Sequence, residues 1–292
     1  MGKFNIYQVF ERDMVSLEKD ELMFEYISKN EEVFNEVAQE ICNAIKQGDF
    51  SMKYQPSIKN GICYGAEALF RLKIDDFTFN PLAVFTIASY YGFENQLTLK
   101  ALNKVCEFLK NNENKLRKDF TLSFNVNPKL INTEFCNKII DILNKNKVNK
   151  SNFAIELTEV STFDNLNVAD LVYLKNNGLK LYCDDFGNGY TDERALDLPF
   201  DVVKFAGYYI NNIMSDPKCE EFLARNIKIC KERNMKTIAE NVEEKEQAEK
   251  VYNLGIDLIQ GYYYSKPLSE ENFIEKYGIK FLDTLKKTEE DN

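Results

Sequence analysis

Residues 153–185 read FAIELTEVSTFDNLNVADLVYLKNNGLKLYCDD, and the order of elements in this stretch decides the fold. Residues 153–158 form a short, mostly apolar run of the length of a buried strand. Leu171 and Leu174 belong to a helix stopped by Gly178, as a glycine past a helix C-terminus commonly does. Residues 179–185 are a second strand. Strand, helix and strand in close succession predict a parallel crossover.

The same alternation fills the chain on both sides. Further strand candidates are residues 50–55, 62–72, 120–126, 202–205, 235–240 and 258–263. Val33, Phe34, Val37, Ala38, Ile41, Cys42 and Ile45 make one helical stripe ended by Gly48. Asn80-Pro81 and Asp216-Pro217 read as caps with proline in the first turn, and Gly255 as another helix stop. About eight strands, each followed by a helix, over roughly 250 residues predict an α/β fold, a closed TIM (β/α)8 barrel. An open doubly wound sheet would usually carry a glycine-rich phosphate turn after its first strand, and none is present. Residues 1–34 read as a charged helical lead-in, 35–276 as the barrel and 277–292 as a charged C-terminal tail.

Composition narrows the chemistry. The chain has 292 residues, 44% hydrophobic and 29% charged, which fits a globular protein with a sizeable core. No stretch approaches the roughly 20 apolar residues of a membrane span, and residues 1–20 lack an apolar signal core. Seven cysteines without a CxxC pair read as reduced thiols and point to the cytoplasm. A formal charge of −10 argues against binding a nucleic-acid polymer. There is no histidine, which removes Ser-His-Asp and Cys-His catalysis and imidazole-held zinc.

Chemistry must therefore run on carboxylates, lysine, amides or metals held by oxygen. Glu67 sits in a run that should be buried, and Glu156 lies between Ile155 and Leu157. Asn125, Asp184 with Asp185, Lys204, Glu240 and Gln260 fall near the ends of five other strands. A single buried acid is most simply a structural ion pair. Acids on several strands, mostly near their C-terminal ends, would meet at one barrel mouth, where they would repel one another unless cations intervened. An all-oxygen ligand set suits Mg²⁺ or Mn²⁺, and two ions about 3.5–4 Å apart are the usual device for attacking a phosphodiester.

At these residues the sequence resembles the EAL-domain phosphodiesterases, which hydrolyse cyclic di-GMP to linear pGpG. The matching segments run in order: Tyr54-Gln55-Pro56, Glu67-Ala68-Leu69-Phe70-Arg71, Asn125-Val126-Asn127-Pro128, Glu156-Leu157-Thr158-Glu159, Asp184-Asp185-Phe186-Gly187, Lys204, Glu240-Asn241-Val242-Glu243 and Gln260-Gly261-Tyr262. The resemblance implies a modified TIM barrel with one reversed strand. It implies first-metal ligands at Glu67, Asn125, Glu156 and Asp184, with Asp184 bridging to a second metal completed by Asp185 and Glu240. Lys204 would lie beside the attacking water. Gln55 and Gln260 would support the site, and Arg71, with Leu69 in the same motif, would face the substrate. Glu159 would steady the loop after the paired aspartates, and Glu243 would support Glu240. Cyclic di-GMP is the implied partner, with a homodimer and an unidentified regulatory protein as further candidates.

The sequence also departs from the family pattern. The loop after Asp185 reads Phe186-Gly187-Asn188-Gly189-Tyr190-Thr191-Asp192 against the usual Phe-Gly-Thr-Gly-Tyr-Ser-Ser. Lys204-Phe205-Ala206 stands for Lys-Ile-Asp, Asn241 for a glycine and Asn127 for a serine. Every implied ligand is retained, so hydrolysis is the expected activity. The alternative is a non-hydrolytic EAL protein, a cyclic di-GMP receptor or an interaction module.

Overall fold

The structure, a computed structural model, describes residues 7–8, 11–12, 31–158, 167–188 and 193–279. Most of the expected lead-in and of the charged tail lies outside them. The chain divides into two compact units, one of Met1–Met52 with Phe70–Lys104 and one of Lys53–Leu69 with Val105–Asn292. The unit boundaries fall inside β1 (Phe50–Lys59), β2 (Ile62–Ile74) and α3 (Glu94–Asn112).

The second unit holds a closed barrel. Its strands are the inner parts of β1 and β2 with β4 (Thr121–Val126), β5 (Phe153–Thr158), β6 (Lys180–Phe186), β7 (Val202–Phe205), β8 (Lys236–Ala239) and β9 (Leu258–Ile259). The order is β1-β9-β8-β7-β6-β5-β4-β2, closed by pairing of β1 with β2. Every neighbouring pair from β2 round to β9 is parallel, and β1 pairs antiparallel with β9. One reversed strand in an eight-stranded α/β barrel is what the resemblance implied.

The reversal has a local cause. Asn60 and Gly61, both at positive φ (50° and 76°), join β1 directly to β2. Asn-Gly is the preferred pair for a two-residue hairpin turn, because both positions need φ > 0. A helix after every strand is thus incorrect: none separates β1 from β2. Elsewhere α4 (Thr133–Lys145) follows β4, α5 (Val168–Asn176) follows β5, α6 (Gly207–Asn212) and α7 (Pro217–Glu232) follow β7, α8 (Lys245–Leu254) follows β8 and α9 (Glu270–Tyr277) follows β9. The described residues between β6 and β7 hold only a 3-10 turn, Glu193–Asp197. Asp216 caps α7 through Lys218 N–H at 2.9 Å, ahead of Pro217, and Gly255 (φ 95°) ends α8.

Two further corrections concern strands. Residues 258–263 form a strand only at Leu258–Ile259; Tyr262, Tyr263 and Tyr264 lie in a turn, with Tyr262 exposed. The first unit contains an additional strand, β3 (Phe77–Phe79), which pairs with the outer part of β2 across a turn in which Asp75 takes φ 53°. In that unit α1 (Glu31–Gln47) packs on α2 (Pro81–Tyr90), whose N-cap Asn80 accepts from Leu82 N–H. Among the described residues no helix is long and apolar enough to cross a membrane.

Candidate active site

Side chains at paired positions of adjacent parallel strands point to the same face, so the register identifies what lines the barrel. Ala154, Tyr182, Val202 and Ile238 cluster inside it, with Leu258 packed against them. Two residues further along the same strands stand Glu156, Asp184, Lys204, Glu240 and Gln260. Asn125 is paired with Glu156, and Glu67 with Ser123, two residues before Asn125. The period of two therefore lays a polar layer over an apolar plug at the C-terminal mouth.

Lys204 occupies the centre of this layer and is fully buried. Its Nζ lies 2.8 Å from Glu156 Oε2, 2.8 Å from Asp184 Oδ1, 2.8 Å from Glu240 Oε1 and 3.2 Å from Glu67 Oε2. Glu67 also accepts from Asn125 Nδ2 and from Gln260 Nε2, each at 2.6 Å. One ammonium has three N–H groups and cannot serve four carboxylates at once. Asp184 Oδ1, although in charge contact with Lys204, and Glu156 Oε1 are buried without a hydrogen bond.

Burial sets the electrostatics. It pushes the Glu156 carboxyl up to about 8, with Lys204 pulling down and Glu67 and Asp184 adding to the rise. It likewise raises Asp184 and, with Asp184 beside it, holds Glu240 well above the usual carboxylate range. Burial alone would push the Lys204 ammonium down, but the four carboxylates outweigh it and hold Lys204 well above its ordinary value.

The neighbouring aspartate is brought in by a local irregularity. The pairing of β6 with β7 shifts register between Cys183 and Phe186, and Asp185 takes φ 53°. Such a bulge re-aims side chains at a strand end. The Asp185 charge is felt at Glu240.

Other predicted residues are placed less centrally. Gln55 lies on reversed β1 and donates to the Ser265 carbonyl at 3.4 Å. Leu69 is half-buried, two residues beyond Glu67 on β2. Arg71 belongs to the first unit, where its guanidinium donates to the Phe70 carbonyl at 2.7 Å. Glu243 is exposed, and its backbone N–H donates to Gln247 Oε1 at 2.9 Å; its carboxylate is not among the groups gathered round Lys204. Glu159 and residues 189–192 lie outside the described residues. Sequence reasoning missed Ser57, which donates to Gln260 Oε1 at 3.0 Å. Its signal was its place two residues after Gln55 on the same strand.

The donor set suits a hard divalent cation: four clustered carboxylates, two of which (Glu156 and Asp184) keep a buried oxygen without a hydrogen bond, with the adjoining Asp185 and the Asn125 amide. Among the described residues no three acids or cysteines form a ready-made ion cage. The Lys204 ammonium lies at the centre of these carboxylates, within 3.2 Å of one oxygen of each.

Comparison with known proteins agrees with this geometry. The model of the EAL domain matches residues 38–267. The chain belongs to the EAL domain family. Among curated relatives, Signaling protein YkoW of Bacillus subtilis is 29% identical over 79% of this chain and 30% of its own length. Cyclic di-GMP phosphodiesterase PdeA of Borreliella burgdorferi is 30% identical over 85% of this chain and 38% of its own. The chain thus spans well under half the length of these two relatives. The solved structure described as PaMucR phosphodiesterase in complex with c-di-GMP superposes with a TM-score of 0.76 over 82% of this chain and 99% of that one, at 21% identity. That likeness shows that the two chains share a fold.

Proposed function

We propose that this EAL domain is a metal-dependent phosphodiesterase that hydrolyses cyclic di-GMP to linear pGpG. The observation that carries the reading is the convergence of Glu67, Glu156, Asp184 and Glu240 on one point, with more negative charge than Lys204 can neutralise. A phosphodiester substrate is itself anionic, so such a site needs cations before it can accept one. Relatives named as cyclic di-GMP phosphodiesterases supply the substrate class.

Glu67, Asn125, Glu156 and Asp184 would hold one Mg²⁺ or Mn²⁺ ion, and Asp184, Asp185 and Glu240 a second. When bound, such ions lower the pKa of coordinated water and stabilise charge on the phosphoryl oxygens. Lys204, the cation already among these acids, would orient the attacking water and offset charge developing at phosphorus. Gln260, held by Ser57, fixes the Glu67 carboxylate so that its oxygens keep one direction. Asn125 restrains the other Glu67 oxygen. The hydrophobic cluster beneath gives these charges low-polarity surroundings, which strengthens each interaction between them.

Incubation of the purified protein with cyclic di-GMP and Mn²⁺, followed by chromatography, tests the reading. Conversion to pGpG that EDTA abolishes is expected. Binding of cyclic di-GMP without product would replace the hydrolase by a receptor.

A further inference from the structure

We propose that Lys204 is the internal counter-ion of the site, standing in the metal-free protein among the oxygens that divalent ions use and making the site select doubly over singly charged cations. The inference rests on the metal-dependent reading above and extends it to how the site chooses its ions.

The geometry is that of a cation in a cage. Nζ stands within 3.2 Å of carboxylates from β2, β5 and β6 and of Glu240 just beyond β8, and its side chain is 1% exposed. Among the described residues no other lysine or arginine pairs with these four acids. A hydrophobic cluster of Ala154, Tyr182, Val202 and Ile238 packs beneath, and the amides of Asn125 and Gln260 donate only to Glu67 among these acids. Burying a lysine is costly, and only excellent compensation sustains it. Here that compensation is the same set of oxygens an ion would need.

This arrangement discriminates by charge. A singly charged ion entering the cage brings no more charge than the ammonium it must displace, and it leaves that ammonium buried with fewer partners. A doubly charged ion brings charge the cage lacks. Glu67, Glu156, Asp184, Asp185 and Glu240 carry five negative charges, which two divalent ions and one ammonium balance. Lys204 therefore yields oxygens without having to leave, and is then free to face water or phosphate.

The test compares wild type with Lys204→Met, both stripped of metal. Mn²⁺ affinity is measured by calorimetry, and melting temperature in potassium chloride against choline chloride at equal ionic strength. The variant should bind Mn²⁺ about tenfold or more tightly, because a buried like charge has been removed. It should also be stabilised by potassium over choline, while wild type is indifferent. A merely structural lysine would lower the melting temperature and produce neither change. An unchanged or weaker Mn²⁺ affinity overturns the proposal, as does a variant that potassium stabilises no more than choline. If Lys204→Met does not fold, the same comparison is made in a Glu156→Gln background, where one lost carboxylate offsets the lost ammonium. Failure of wild type to bind Mn²⁺ at all would count against the metal-dependent reading itself.

Discussion

Lys204 Nζ lies 2.8 Å from Glu156 Oε2, and each side chain is only 1% exposed. A buried pair of this kind is usually a self-contained charge balance. Here the same ammonium contacts Asp184, Glu240 and Glu67, so Glu156 receives a fraction of a counter-ion. The protein without metal is consequently short of positive charge at the barrel mouth.

That shortage predicts a pH dependence. The folded-state carboxyl of Glu156 is raised to about 8 from an ordinary 4.5, and Asp184 and Glu240 move the same way. A group raised on folding binds its proton more tightly in the native state. Its contribution to stability is complete below the unfolded value and is lost as pH rises through the folded one. Metal-free protein should therefore lose stability between about pH 4.5 and 8, by up to roughly 1.4 kcal/mol per pH unit for each proton so held. Thermal melts across this range should show a shallower slope for Glu156→Gln, and for wild type in Mn²⁺.

The hydrogen bond from Ser57 to Gln260 predicts a graded loss. Ser57→Ala removes one neutral hydrogen bond and should cost about 0.5–1.5 kcal/mol in urea unfolding. It should lower kcat modestly, since Gln260 can still donate to Glu67. Gln260→Leu removes the donor to Glu67 Oε2 as well and should lower kcat further, with Mn²⁺ affinity falling in the same order.

Gly207 and Asn241 form a matched pair. Asn241 takes φ 54°, the left-handed conformation its place after Glu240 requires, and its side chain lies against the Gly207 Cα, where an added Cβ would collide with it. Gly207→Ala should destabilise by about 1–3 kcal/mol, as overpacking commonly does. Asn241→Gly should be tolerated alone and should recover most of that loss in the double variant. Equilibrium unfolding of the four proteins measures the coupling.

Much of this was legible in the sequence because both the barrel and its site obey a period of two. Ala154 before Glu156, Tyr182 before Asp184 and Val202 before Lys204 are each an interior plug residue followed by a mouth residue, and short apolar runs ending in an acid or lysine announce that pattern. The β1–β2 hairpin was hidden because a count of strands and helices assumes crossovers; Asn60-Gly61 was its one local signal. Three residues, Phe77–Phe79, are too few for alternation to reveal a strand. The Lys204 cage was not legible, since proximity of side chains from five parts of the chain is a property of barrel closure. Neither was the Ser57 contact, which depends on β1 running against its neighbours.

Counting bound ions tests the two-metal centre most directly. Wild type and Asp184→Asn are dialysed to equilibrium against Mn²⁺ with cyclic di-GMP present, and the bound metal is measured by atomic absorption. Two ions per chain in wild type, and fewer in the variant that loses the shared carboxylate, are predicted. Hydrolysis of cyclic di-GMP by a wild-type protein that retains no divalent ion would contradict it.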